Sequence, residues 1–353
     1  VQQIETVKWS DAADPGTVPA SWTPEPGNEA GDAILATELG GLVDGEVLRD
    51  QFIIYRQHSC AVVSYVGGQF VFSFRELYPN IGIQHLNCVV EHRGQHWLFA
   101  DDDCFAHDGN TVTSIIDKKN RNVLFEALNP DNKQLCQVVS RTETDEIWFI
   151  VGRTDSEYQE TALIYSFVER VWGVRALPQT KFVSAGIIPN EQPDPTWDGS
   201  PYGAWQDDPR WWNQANYSIS NNQLLMAAYA DARLYHVDEL NTEDGSPVQS
   251  YVEKLYHTIG GADNIWENNL IRSIYPRFTG TEGTEIQIRI GASRATDEPI
   301  QWNAEQTYTI GQSSYKIDSI CHGRYLHMRF SSSGGDPWQL HRIGIEHVPL
   351  AKY

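Results

Sequence analysis

The sequence predicts an all-β chain: a β-propeller-like domain with irregular blades and loop insertions, followed by a C-terminal antiparallel β-sandwich. Three observations carry that expectation. Short runs rich in Val, Ile, Phe, Tyr and Trp recur along the chain, broken by Gly, Asn and Asp pairs that suit tight turns. Helical periodicity is scarce. One grammar, an apolar strand, a turn and a second strand, repeats at uneven intervals, as blades with inserted loops would.

Taken in order, "WSDAADPGTVPASWTPEPGNEAGD" is rich in Pro, Gly, Asp and Ala and reads as part of a long loop over 10–45, anchored by Trp9 and Trp22. "AVVSYVGGQFVFSF", "CFAHDGNTVTSI" and "ALIYSFVERVWGVRAL" are three hairpins, and each follows a further strand: "FIIY", "HWLF" and "IWFI". "ARLYHVDELN", after "LLMAAY", offers the first half of a fourth. In the third hairpin the turn falls at Glu169-Arg170, and Leu163, Tyr165, Trp172 and Val174 are expected to pack between sheets; Trp148 and Trp172 are expected to fill sheet cores. "NRNVLFEALN" (Asn120–Asn129) is the one helical candidate, with Val123, Leu124 and Leu128 on one face.

A second loop over 189–222 carries Trp197, Trp205, Trp211 and Trp212 among Pro, Asp and Gly. A core strand would not tolerate that much Pro, and exposed aromatic loops make contact surfaces, so these four Trp form the expected interaction surface. Composition shifts near 241–250, which sets the domains at 1–242 and 243–353. In the second, "EIQIRIG" alternates Ile286, Ile288 and Ile290 against Gln287 and Arg289. "RYLHMRF" sets Leu326, Met328 and Phe330 against Tyr325, His327 and Arg329, as a half-buried strand would.

The formal net charge is −21, which argues against a surface that grips nucleic acid by neutralising phosphates and suits one that DNA passes without sticking. No apolar run approaches the ~18 residues of a membrane span. Cys60, Cys88, Cys104, Cys136 and Cys321 are widely spaced, without a CxxC pair, and are expected as buried free thiols of a protein folded in a reducing cytosol.

Candidate chemistry is sparse. "DDDCFAHD" (Asp101–Asp108) could hold Ca²⁺ or do acid–base work, but lacks the EF-hand spacing and reads as a turn whose Asp side chains accept backbone amides. Asp11 and Asp14 could act as paired glycosidase acids or could form an Asx-turn before Pro15. His92 and His96 straddle a turn and do not share an edge for a metal. "SSSGGDP" (Ser331–Pro337) has no following helix to bind phosphate. No catalytic residue, cofactor or metal is therefore expected.

Several phrases in one order carry a resemblance: "WSD" at Trp9–Asp11, "RD" at Arg49–Asp50, Tyr65–Gly68, "DDDCFAHDG" at Asp101–Gly109, and Trp172–Pro178. With "EIQIRIGAS" and "GRYLHMRF" near the C-terminus, the set resembles the β-propeller virion proteins of tailed bacteriophages. The nearest type is the tail nozzle, or tail hub, of short-tailed phages. The resemblance implies a non-enzymatic structural protein assembled in the host cytoplasm into a homo-oligomeric ring, commonly a hexamer. Such a ring would sit between portal or adaptor and fibre or spike proteins, with genomic DNA passing through it. Many nozzles are considerably longer than this chain. The alternative is a carbohydrate-binding or glycoside-hydrolysing propeller, using the Trp197–Trp212 loop as a sugar platform and Asp11, Asp14 or Asp101–Asp103 as acids.

Overall fold

The computed structural model describes residues 5–35, 40–68, 70–126, 128–154, 156–187, 222–228, 233–237, 241–243, 245–260, 266–313 and 315–352. The chain divides into two units, Val1–Val237 and Asp238–Tyr353. Both are built from antiparallel strands.

In the first unit, β1 (Thr6–Trp9) pairs with β2 (Gly31–Ile34). The run expected as one loop over 10–45 therefore contains a strand, and β3 begins at Leu42. The pairing is legible in hindsight at Trp9, whose Cα partner Gly31 lacks the side chain that would collide with the indole.

Two four-stranded meanders follow. The first is β3 (Leu42–Leu48), β4 (Gln51–Arg56), β5 (Cys60–Tyr65) and β6 (Phe72–Tyr78). The second is β7 (Val89–His92), β8 (Gln95–Phe99), β9 (Cys104–His107) and β10 (Val112–Ser114). The helix α1 (Lys118–Glu126) starts two residues before the expected segment. Asp117 opens it by accepting the Asn120 amide at 2.9 Å, and Leu124 is buried.

The third sheet runs β11 (Gln137–Arg141), β12 (Glu146–Val151), β13 (Gln159–Ser166), β14 (Val171–Ile187), β15 (Asn222–Ala228) and β16 (Leu234–His236). The repeated phrases occupy the same places in each sheet: "FIIY", "HWLF" and "IWFI" are second strands, and the three hairpins are strands three and four. The fourth, partial repeat does not open its own sheet. β14 runs on past β13, and its far half, Thr180–Ile187, pairs with β15, so the third and fourth units share one strand.

First strands of successive sheets lie side by side, as they do around a propeller axis. Asp44 of β3 accepts the Asn87 amide at 2.9 Å, and the Asn87 carbonyl accepts the Val138 amide of β11 at 2.8 Å. The first-hairpin turns repeat too. Arg49, Arg93 and Asp145 all take left-handed backbone, at φ 59°, 52° and 55°. Arg49 donates to the Gly94 carbonyl in the next sheet's turn, and Arg93 pairs with Asp145 in the one after.

Between these sheets lies one apolar core containing Ile53, Leu98, Phe99, Ile147 and Phe149. Tyr165 and Trp172 join it as cross-strand partners, with ring centroids 4.9 Å apart. Val174, expected in that packing, is 72% exposed, although its cross-strand partner Leu163 packs against the core. Trp148, expected to fill a sheet core, is buried on the other face of this sheet with Ile150, Leu224 and Met226.

The second unit opens with a small hairpin, β17 (Thr242–Glu243) and β18 (Ser246–Pro247). One sheet is formed by β19 (Ser250–Thr258), β21 (Glu285–Ser293), β22 (Gln301–Trp302), β23 (Gln306–Thr309) and β25 (Tyr325–Ser332). The other contains β20 (Glu267–Gly280), β24 (Ile317–Gly323) and β26 (Trp338–Lys352). Ile286, Ile288 and Ile290 of one sheet and Ile271 and Ile274 of the other share a core, which makes the unit a sandwich. His327 departs from the expected half-buried alternation. It is buried because Tyr256 and Trp302 cover its face, and its ring accepts the Tyr256 amide.

Candidate functional site

The interaction surface expected from sequence, Trp197, Trp205, Trp211 and Trp212, lies outside the described residues. So does most of the 189–222 loop that carries it.

The acid run from Asp101 to Asp108 is spread over separate structural tasks. Asp101 pairs with Lys133 at 2.8 Å and lies 3.6 Å from His58. Asp103 is buried. Its Oδ1 accepts from the Cys104 amide and the Ser114 hydroxyl, and its Oδ2 meets Arg121 of α1 at 3.0 Å. Burial raises its pKa although these donors pull the other way. Asp108 accepts from the Asn110 and Thr111 amides and the Thr111 hydroxyl; those bonds hold its carboxyl down at about 2. Among the described residues, no group of three or more His, Cys, Asp and Glu is placed to hold a metal ion.

Sequence reasoning missed a buried polar chain. Tyr55 of β4 lies with its hydroxyl 2.7 Å from His96 Nδ1 and 2.5 Å from His107 Nε2. The Gly109 amide donates to His107 Nδ1, so the His107 proton sits on Nε2 and is donated to Tyr55. Tyr55 donates to His96 Nδ1, and His96 Nε2–H donates to the Val47 carbonyl at 2.9 Å. Every polar atom of the chain is satisfied with all three groups neutral. Burial, then the neighbouring His96, lowers His107 to about 4; burial likewise lowers His96 and raises Tyr55. The chain ties the first meander to the second. Its only signal in the sequence is the pair of His in strands otherwise apolar.

His92 points away from His96. It packs edge-on against Phe167 and sits 3.5 Å from Asp145, without a hydrogen bond. The five thiols are free and buried, and burial raises them all, Cys60 and Cys136 to about 12 and Cys321 to about 11.

An open cleft in this unit brings one sequence candidate into a setting that could bind a ligand. It has a volume of about 400 Å³ and lies between the Trp9–Thr17 segment, Glu29 and the β5–β6 hairpin. Trp9, Tyr65 and Phe72 form aromatic walls; Asp11, Asp14 and Glu29 supply carboxylates. Trp9 is fixed in three ways. Its indole lies over Gly31, its Nε1–H donates to the Glu29 carbonyl, and its ring meets Phe72 edge-on at 5.3 Å. Tyr65 is the Cα partner of Phe72 and stays 69% exposed. Asp11 Oδ1 is already taken by the Ala12 and Glu29 amides, so Asp11 holds the loop in shape. Asp14 and Glu29 have no side-chain hydrogen bond or ion pair with any described residue.

No protein-family model matches the chain, and no curated protein matches it in sequence. Among solved structures, it is similar to two of an exo-β-1,3-galactanase from Phanerochaete chrysosporium, both with β-1,3-galactotriose. They show 7% and 8% identity and TM-scores of 0.26 and 0.28, covering 86% and 87% of this chain and 80% and 82% of theirs. A likeness this weak carries no conclusion about fold or activity.

Proposed function

We propose that the chain is a structural, non-enzymatic component of a bacteriophage tail, a nozzle or hub subunit. Six copies would form a ring that conducts DNA and seats neighbouring tail proteins. The observation that carries this reading is the order along the chain of the phrases from Trp9–Asp11 to Trp172–Pro178; the three repeated hairpins among them occupy strands three and four of successive sheets. Support comes from how the polar side chains are deployed. Tyr55, His96, His107 and Asp103 brace one element against another, and Asp108 closes its own turn. The net charge of −21 suits a wall that DNA slides past.

The competing reading, a glycan-binding or glycan-cleaving propeller, would use Asp11, Asp14 or Asp101–Asp103 as acids; Asp11, Asp101 and Asp103 are held by neighbouring groups, whereas Asp14 has no side-chain partner among the described residues. Light scattering with negative-stain imaging tests the proposal. A closed ring of six 40.0 kDa chains, ~240 kDa, is expected. A monomer at micromolar concentration, or glycan turnover abolished by Asp14→Asn, would overturn it.

A further inference from the structure

We infer that the cleft between Trp9, Tyr65 and Phe72 is a docking site for an arginine side chain presented by a basic peptide segment of a partner protein. The inference does not rest on the tail reading. Its ground is the chemistry of the walls. Asp14 and Glu29, whose carboxylates have no partner among the described residues, line the same cleft as the exposed Tyr65, and no Lys, Arg or His lines it. In a chain of net charge −21, such a site favours a cation. A flat guanidinium suits it better than an ammonium, since it can stack on Tyr65 while its N–H fork meets a carboxylate.

The same unit already contains this arrangement. Arg93 lies over the Phe167 ring at 5.1 Å and ion-pairs with Asp145. A neutral sugar fits less well. It would leave two carboxylates uncompensated, and the largest ring, Trp9, is already spent on Gly31 and Phe72.

Calorimetric titration of the full chain tests the assignment. The probe is an acetylated, amidated peptide with two arginines spaced by glycine, compared with its lysine and citrulline counterparts. The arginine peptide is expected to bind, the lysine peptide to bind at least about threefold more weakly, and the neutral citrulline peptide not to bind. Asp14→Asn/Glu29→Gln should weaken binding at least about tenfold, and Tyr65→Ala about threefold or more. Neutralising the exposed pair Asp297 and Glu298 in the second unit controls for net charge and should leave binding unchanged. An equal loss in that control, equal binding of the citrulline peptide, displacement by a neutral β-linked oligosaccharide, or no binding of any peptide would each overturn the assignment. Ring mass, measured on the same samples, reports on the tail reading separately.

Discussion

Tyr55 and His107 share a hydrogen bond of 2.5 Å between strands of two different sheets, and neither ring reaches solvent. The contact is one link in a chain that ends on the Val47 carbonyl. Removing the hydroxyl would leave two ring nitrogens in the interior without their partner. Tyr55→Phe is therefore expected to cost about 2–4 kcal/mol in urea unfolding. Tyr78 supplies the contrast. Its ring also meets His107, but its own hydroxyl is buried without a partner among the described residues. Tyr78→Phe removes an unsatisfied group and should be neutral or slightly stabilising. Equal losses in the two variants would show that ring packing, not the polar chain, links the sheets.

The same chain sets an acid limit. Burial lowers His107 from 6.5 to about 4 and lowers His96 in the same direction. A group whose native pKa lies below its unfolded pKa stays neutral when folded while the unfolded chain takes up a proton. Stability is then fully present above pH 6.5 and falls as pH drops toward 4. The His107 share alone is about 3 kcal/mol across that window. His92, His257 and His327 are shifted the same way, each by burial first, and steepen the fall. Urea midpoints measured from pH 7 to pH 4 should decline, and the decline should be shallower in His107→Gln. A pH-independent midpoint would contradict the buried neutral state.

Asp103 and Arg121 pin α1 to the β8–β9 turn. Arg121→Met leaves a buried carboxylate with hydrogen bonds but no counter-charge, at a cost of about 3 kcal/mol. Asp103→Asn in that background keeps an oxygen for Cys104 and Ser114 while removing the charge, and should recover much of the loss. A double-mutant cycle read by thermal unfolding gives the coupling. Additive losses would mean that the pair holds α1 by packing alone.

How far the fold was legible depends on the range over which each signal acts. Period-two alternation and turn dipeptides are local, so the hairpin from Tyr165 to Trp172, the Asp108-Gly109 turn and the Ile286–Ile290 face could be read directly. Tyr55 lies 41 residues from His96 and 52 from His107, and nothing local marks them as partners. Alternation sets His327 opposite the core face because it reports one strand and not what folds over it. The Trp9–Gly31 pairing failed for a related reason. A four-residue strand inside a Pro- and Gly-rich run has too few residues for a period to appear. In the candidate cleft, Asp11 and Asp14 were singled out from sequence, whereas Tyr65, Phe72 and Glu29 come together only through the β1–β2 and β5–β6 pairings.

Gly31 offers the sharpest test of how that cleft is built. A Cβ at this position would come within 2.3 Å of Trp9 Cζ2, so the indole lies where no other residue at position 31 would leave room. Gly31→Ala must displace the ring, breaking its edge contact with Phe72 and its hydrogen bond to Glu29. A loss of about 1–3 kcal/mol is expected, with a change in Trp fluorescence. Gly173 is the control, because a Cβ there meets nothing closer than the Ile164 carbonyl at 4.0 Å. Gly173→Ala should leave both stability and fluorescence unchanged. If Gly31→Ala behaved like Gly173→Ala, the indole would not be held against β2, and the aromatic wall would have to be supplied by Tyr65 and Phe72 without it.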